Sequence, residues 1–297
     1  MKTLSLIGCG NVGISFASLF CNNNHFKAEA VFDIDINNAT TASSALNNCL
    51  ICESLNQIPS SDIYLITTPD NHIEETFNQL TQTNSPKKTS LFIHCCGSKP
   101  AKILSNARYP ANFLSIHPIR SFTRTETDSA FIKDIFCGID GTSKAAELFK
   151  PILELYGAHP VDVNGDNKEI YHAASVFACN YLTALMEVSL LCFEKAGIER
   201  NTANNILRPL TDGTIKNIFN TSTTEALTGP IARGDSSVVA KQLEKLSGWN
   251  SQIAELYSSL GEICIELSHK KGAASKRELD NISQVLSSSK DKQQKKV

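Results

Sequence analysis

The sequence has no uninterrupted apolar run approaching the ~20 residues that a bilayer-crossing helix needs, so no membrane association is expected. It has no long basic block ahead of its C-terminal tail, and its formal charge is -2, which leaves no electrostatic footprint for nucleic acid. No secretory leader is expected either. Met1-Lys2-Thr3 passes directly into a short apolar stretch and then glycines, without a small-residue cleavage site. A cytoplasmic location follows as the expectation, with the ten cysteines reduced. Several of them (Cys9, Cys137, Cys179, Cys192, Cys264) fall in apolar runs, where a free thiol packs like a small hydrophobe. Cys49 and Cys52 form a C-x-x-C, but no second pair completes a four-ligand zinc site, and no metal is expected.

What is present is enough apolar residue, 41%, to build packed cores, and enough length, 297 residues, for two domains. Over residues 1–165, short apolar runs alternate with helical patterns. Strands are expected at 3–7, 28–32, 63–67, 90–94, 112–116, 135–139 and 159–163. Helices are expected after Gly10, near Ala39, at Asn71 and at Ser143. This alternation favours a parallel sheet. After Asn164-Gly165 the pattern changes. Residues 169–196 read as one long helix closed by Gly197, apolar nearly all round and so expected at the buried centre of a helical domain. Further helices are expected at 201–210, 214–220, 236–246 and 249–271. The fold class is therefore an α/β Rossmann domain (1–165) followed by an all-α domain (166–286), with a lysine-rich tail (287–297) expected to fray.

Gly8-Cys9-Gly10-Asn11-Val12-Gly13 matches G-x-G-x-x-G between a strand and a helix, the arrangement a dinucleotide requires. Gly8 permits the tight turn, Gly10 lets the pyrophosphate approach, and Gly13 lets helix and strand pack closely. Asn11 and Val12 open the helix whose N-terminus faces the phosphates. Asp33, at the end of the second strand, is placed to accept hydrogen bonds from a ribose and to repel a 2′-phosphate, although Asp35 competes for that role. Thr68, Pro69 and Asp70 follow another strand end and belong near the same cofactor, with Asp70 also suited to cap the next helix.

Two further strand ends bring His94-Cys95-Cys96-Gly97-Ser98 and His117-Pro118 to that edge. Lys168 and His172 lie four residues apart on one face of the long helix, followed by Ser175, Cys179 and the neighbouring Asn180. Carbonyl reduction needs a proton donor and polar groups to fix the substrate. Lys168, His172 and His117 are candidates for the first, and Ser98, Asn180 and Asn217 for the second. Arg233, in the turn-rich segment 227–235, can pair with a carboxylate or instead make a surface contact with Asp235. The apolar helices also predict a homodimer formed through the helical domain.

These motifs, together with Tyr171-His172-Ala173-Ala174 leading to Asn180-Tyr181 and the segment Ala226 to Asp235, resemble the 6-phosphogluconate-dehydrogenase-like superfamily over nearly the whole chain. Members commonly place a lysine at the start of the long helix and an asparagine four residues later. Lys168 matches the lysine, while His172 departs from the asparagine, which leaves the proton donor open between Lys168 and His172. His117 falls near the place of a substrate-binding serine. The resemblance to ketopantoate reductases within this group implies NADPH-dependent reduction of a small 2-oxo acid to a hydroxy acid, whereas Asp33 favours NAD. NADP and NAD both stand. Imine reduction of the pyrroline-5-carboxylate reductase type and non-catalytic sensing of NAD(P) are the rival readings.

Overall fold

The apolar runs of the first half assemble into one sheet in a computed structural model of the chain, which describes residues 1–83, 86–110, 112–120, 122, 126 and 128–294. Among the described residues the strands are β1 (Thr3–Ile7), β2 (Lys27–Phe32), β3 (Leu50–Ile51), β4 (Ile63–Ile66), β5 (Leu91–His94), β6 (Phe113–Pro118), β7 (Phe136–Gly141) and β8 (His159–Asp162). Their spatial order is β3-β2-β1-β4-β5-β6-β7-β8. The chain leaves β1 toward one edge for β2 and returns to its other side for β4, so a crevice opens beyond the carboxyl ends of β1 and β4. Helices α1 (Asn11–Asn22), α2 (Ile36–Ala45), α3 (Ile73–Thr83) and α4 (Ser143–Leu155) accompany the sheet.

The sheet is not wholly parallel as expected. β6 and β7 pair antiparallel, because no crossover helix joins them among the described residues and the chain returns along the neighbouring edge. The two-residue strand β3 was too short to leave a periodic signal. Two aromatic clusters hold the domain. Phe20 packs edge-on to Phe149 at 5.1 Å between ring centroids, while Phe92 meets Phe77 at 4.9 Å and stacks on Tyr64 at 5.3 Å.

The chain divides into two compact units, Met1–Asn180 and Tyr181–Val297. Helix α5 (Lys168–Val176) belongs to the first. A π turn, Phe177–Tyr181, then leads to α6 (Leu182–Lys195). The expected helix over 169–196 is one helical stretch, Gly165–Lys195, with a π turn inside it, but it is not the buried centre of a domain. Ile170, Phe177 and Tyr181 are exposed, and little of the helical stretch Gly165–Lys195 is buried, although by length and composition it is apolar enough to cross a membrane. The second unit continues with α7 (Arg200–Asn220), α8 (Thr223–Ala226), α9 (Ser236–Trp249), α10 (Ser251–Lys271) and α11 (Lys276–Gln294). Helices expected separately at 201–210 and 214–220 are one helix that accommodates Pro209. The stretch expected to fray is helical to Gln294, and its last residues lie outside the described ones. Val239, Leu243, Ile282 and Leu286 form the main core of this unit, and Leu190, Ala203 and Leu207 a smaller one.

Phe92 is fully buried between Tyr64, Phe77 and Tyr109. Phe92→Ala is expected to destabilise the first unit by about 3–5 kcal/mol, seen as a lower urea midpoint for its unfolding transition. A change below about 1 kcal/mol would show that this cluster does not hold the sheet.

Candidate active site

The glycine turn after β1 has the geometry its sequence calls for. Gly8 adopts φ +87°, and a Cβ there would lie 2.6 Å from the backbone of Thr67. A Cβ on Gly13 would collide with the Thr67 side chain, whose hydroxyl donates to Gly8 O at 2.6 Å. Above Gly10 the space is open for 4 Å. Gly10 begins α1 without a side-chain cap among the described residues, so the first turn offers backbone N–H groups to an anion.

Asp33 sits directly beside this turn. Its Oδ2 accepts from Cys9 N at 2.6 Å and its Oδ1 from Asp35 N at 2.9 Å. Asp35 does something else: it caps α2 by accepting from Asn37 N at 2.9 Å. Asp33 is therefore the carboxylate tied to the glycine turn. A cleft of about 860 Å³ runs over Gly8, Gly10 and Asp33 to Thr68 and Pro69. Among the described residues its lining includes Asp33, Asp35 and Glu75, and no lysine or arginine. The Thr68 hydroxyl is buried without a hydrogen-bond partner among the described residues. An open turn, an uncapped helix and an orphaned hydroxyl on one cleft fit a dinucleotide. Asp70 is exposed and starts a short 3-10 turn ahead of α3 rather than capping it.

The second part of the site is built around a buried ammonium. Lys168 is 1% exposed, and its Nζ donates to Cys96 O at 3.0 Å and to the Ser115 hydroxyl. It links the start of α5 to the loop after β5 and to β6. Burial pushes its pKa below the ordinary lysine value, and the Asp140 carboxylate pulls it back up. The Cys96 peptide is held from its other side too, because its N–H donates to His94 Nδ1 at 3.1 Å. His94 Nε2 faces Pro100 O at 3.4 Å. Burial and the Lys168 charge push His94 down to about 3, so it stays a neutral cross-link.

The peptide pinned in this way carries Gly97 under two imidazoles. A Cβ on Gly97 would lie 2.5 Å from His172 Nδ1 and 2.6 Å from His117 Nε2. His117 Nδ1 is hydrogen-bonded to the Tyr171 hydroxyl at 2.9 Å. His172 Nδ1 is buried and has no hydrogen-bond partner among the described residues. Burial, then the charge of Lys168, lowers His117 to about 4, and burial raises Tyr171 to about 12. At neutral pH this pair is neutral.

The structure brings His117, Lys168 and His172 together in the first unit, with Ser98 half-buried nearby and its hydroxyl 3.3 Å from Cys96 Sγ. Lys168 heads its helix, where a lysine is ordinarily solvated, but here it is buried. Asn180 is exposed on the π turn that ends this unit. Asn217 and Arg233 belong to the second unit and are exposed there. Asp235 caps α9 through Val238 N at 3.1 Å. Sequence reasoning assigned no role to Tyr171, Ser115, Gly97 or Gly138. The available signals were a tyrosine three residues after Lys168 on the same helix and a glycine inside an apolar strand, which marks a close approach.

Residues 135–263 match a family described as a domain of unknown function, DUF2520. No curated protein matches the sequence. Solved structures resemble the chain over most of its length. The Thermotoga maritima protein TM1727 is 22% identical with a TM-score of 0.71, covering 90% of this chain and 99% of its own. An imine reductase variant from Myxococcus stipitatus in complex with NAD+ is 15% identical with a TM-score of 0.59, covering 91% and 96%. A pyrroline carboxylate reductase from Plasmodium falciparum with NADP bound is 15% identical with a TM-score of 0.52, covering 90% and 98%. The fold is thus that of NAD(P)-dependent oxidoreductases, a Rossmann-like α/β domain followed by a helical region.

Replacing Lys168 with Met removes the charge that depresses His117. The imidazole of Lys168→Met should titrate above the wild-type value of about 4, toward its ordinary 6.5, in an NMR pH series. An unmoved titration would mean that burial alone keeps His117 neutral.

Proposed function

We propose that the protein is a nicotinamide-dependent reductase of a small carbonyl compound, with 2-oxo acids as the leading class. The observation that carries this reading is the cluster of His117 and His172 packed against Gly97 near the buried Lys168, in the unit that also bears the dinucleotide cleft. A bound nicotinamide dinucleotide supplies or accepts hydride. The Gly8–Gly13 turn and the α1 N-terminus would hold its pyrophosphate, and Asp33 its ribose.

The residues of the chain then have separate roles. His117, kept neutral, polarises a carbonyl oxygen by hydrogen bonding, and His172 exchanges a proton at that oxygen. Lys168 has its ammonium committed to Cys96 O and Ser115, so it fixes the loop and the local field instead of donating the proton. The same positive charge favours an anionic carbonyl substrate over the cationic iminium that imine reduction requires. This is why carbonyl reduction is preferred to the chemistry of the imine reductase neighbour. Ketopantoate, implied by the sequence resemblance, heads the substrate panel.

For the cofactor we propose NAD. A 2′-phosphate would enter a cleft lined by Asp33, Asp35 and Glu75, with no lysine or arginine among the described lining residues to pair with it. NADH should therefore bind roughly tenfold or more tightly than NADPH, about 1.4 kcal/mol, and Asp33→Ser should narrow that gap. Titration calorimetry with both cofactors, beside cofactor-absorbance assays on a panel of 2-oxo acids and cyclic imines, tests the reading. Tighter binding of NADPH would reverse the cofactor assignment. Cofactor binding without turnover on any substrate would favour a sensor.

We also propose a homodimer. Residues 177–193 carry only one charged residue, Glu187, and in the second unit Tyr181, Leu210 and Phe219 are exposed apolar side chains. A second copy brings an equally apolar surface, and a two-fold contact covers both at once. Light scattering at micromolar concentration should give twice the chain mass, and Phe219→Glu should shift it toward the monomer. A wild-type monomer would remove the proposal.

A further inference from the structure

Tyr171 is the side chain of the imidazole cluster that the proposed chemistry has not used. Its hydroxyl has one hydrogen-bond partner among the described residues, His117 Nδ1 at 2.9 Å. A phenol can donate its proton to that nitrogen or accept one from it. A neutral imidazole has one protonated nitrogen. If Nδ1 accepts, the proton is on Nε2, the atom that faces Gly97.

The fold makes room for this contact. Gly138 stands directly opposite His117 in the β6–β7 pair, and a Cβ there would collide with the Tyr171 hydroxyl. The missing side chain is the space through which Tyr171 reaches His117.

We infer that Tyr171 is a positioning residue that locks His117 as the neutral Nε2–H tautomer, so that the ring donates from Nε2 to a substrate oxygen and does not accept there. A carbonyl oxygen only accepts, and so matches that polarity. Tyr171 sets the polarity of this oxygen seat at His117 and does not touch the reacting atoms. This inference rests on the carbonyl-reductase reading for its substrate class, but the tautomer itself is a property of the free protein.

The test is 15N NMR of histidine-labelled protein near neutral pH, without ligand. Wild-type His117 should show a pyrrole-type Nε2 and a pyridine-type Nδ1. Tyr171→Phe should lose that fixed pattern and average the two nitrogens. Gly138→Ala should do the same by displacing the ring, and it should add nothing further in a Tyr171→Ala background. With a substrate in hand, Tyr171→Phe should lower kcat roughly three- to tenfold, the worth of one hydrogen bond, while leaving the cofactor Kd unchanged. A wild-type His117 protonated on Nδ1, or a tautomer unaffected by Tyr171→Phe, overturns the inference. A fixed Nε2–H tautomer in a protein without carbonyl turnover would uphold the lock and reject the reductase reading, so the two failures are distinguishable.

Discussion

The site depends on one buried charge. An ammonium taken out of water is costly unless its donors are satisfied, and Lys168 satisfies two of them on Cys96 O and the Ser115 hydroxyl. Those acceptors belong to the loop after β5 and to β6, so a single side chain ties α5 to both. Because the Cys96 N–H is also committed to His94, the peptide groups on both sides of the Cys96 Cα are held. A loop at a strand end would otherwise be among the more mobile parts of such a domain. Here it is a rigid floor, and the catalytic geometry proposed above is possible only on a floor of that kind.

The same charge sets the electrostatics. A partly buried imidazole already resists protonation, and a cation nearby adds to that resistance, so His94 and His117 fall to about 3 and 4. The result is a polar but uncharged pocket wall beside a fixed positive charge. Neutral imidazoles can donate or accept at one oxygen according to tautomer, which an imidazolium cannot do. Lysine in this position therefore acts through other groups. Its position at the head of a helix, suggestive of a proton donor by sequence, does not reveal that its nitrogen faces inward.

That contrast shows where sequence reading succeeds. The glycine turn, Asp33 and the strand ends were legible because each is a local pattern: a hydrophobic run, a turn residue, a fixed spacing. All seven expected strands and the α/β-then-α order rest on the same local periodicity. The long helix misled in its burial alone, because apolarity all round predicts a covered helix and little of this one is buried. Tyr171 and Gly138 were illegible for another reason. They are 33 positions apart, and their meaning comes from a strand pairing that no local pattern encodes.

The reversed strand β7 is the clearest instance. In an antiparallel pair, directly opposite residues project to the same face, so the residue facing His117 would normally fill the space beside its ring. The register puts Gly138 there. A parallel β7, which the alternation of strands and helices favoured, would have needed a crossover helix and would have offset the pairing. The antiparallel return costs the regularity of the sheet at one step, and in exchange opens a slot beside His117 that only a residue arriving from another element can fill. Tyr171 comes from α5, the helix that Lys168 anchors. The departure from a regular doubly wound sheet and the proposed polarity of the oxygen seat thus have one structural origin.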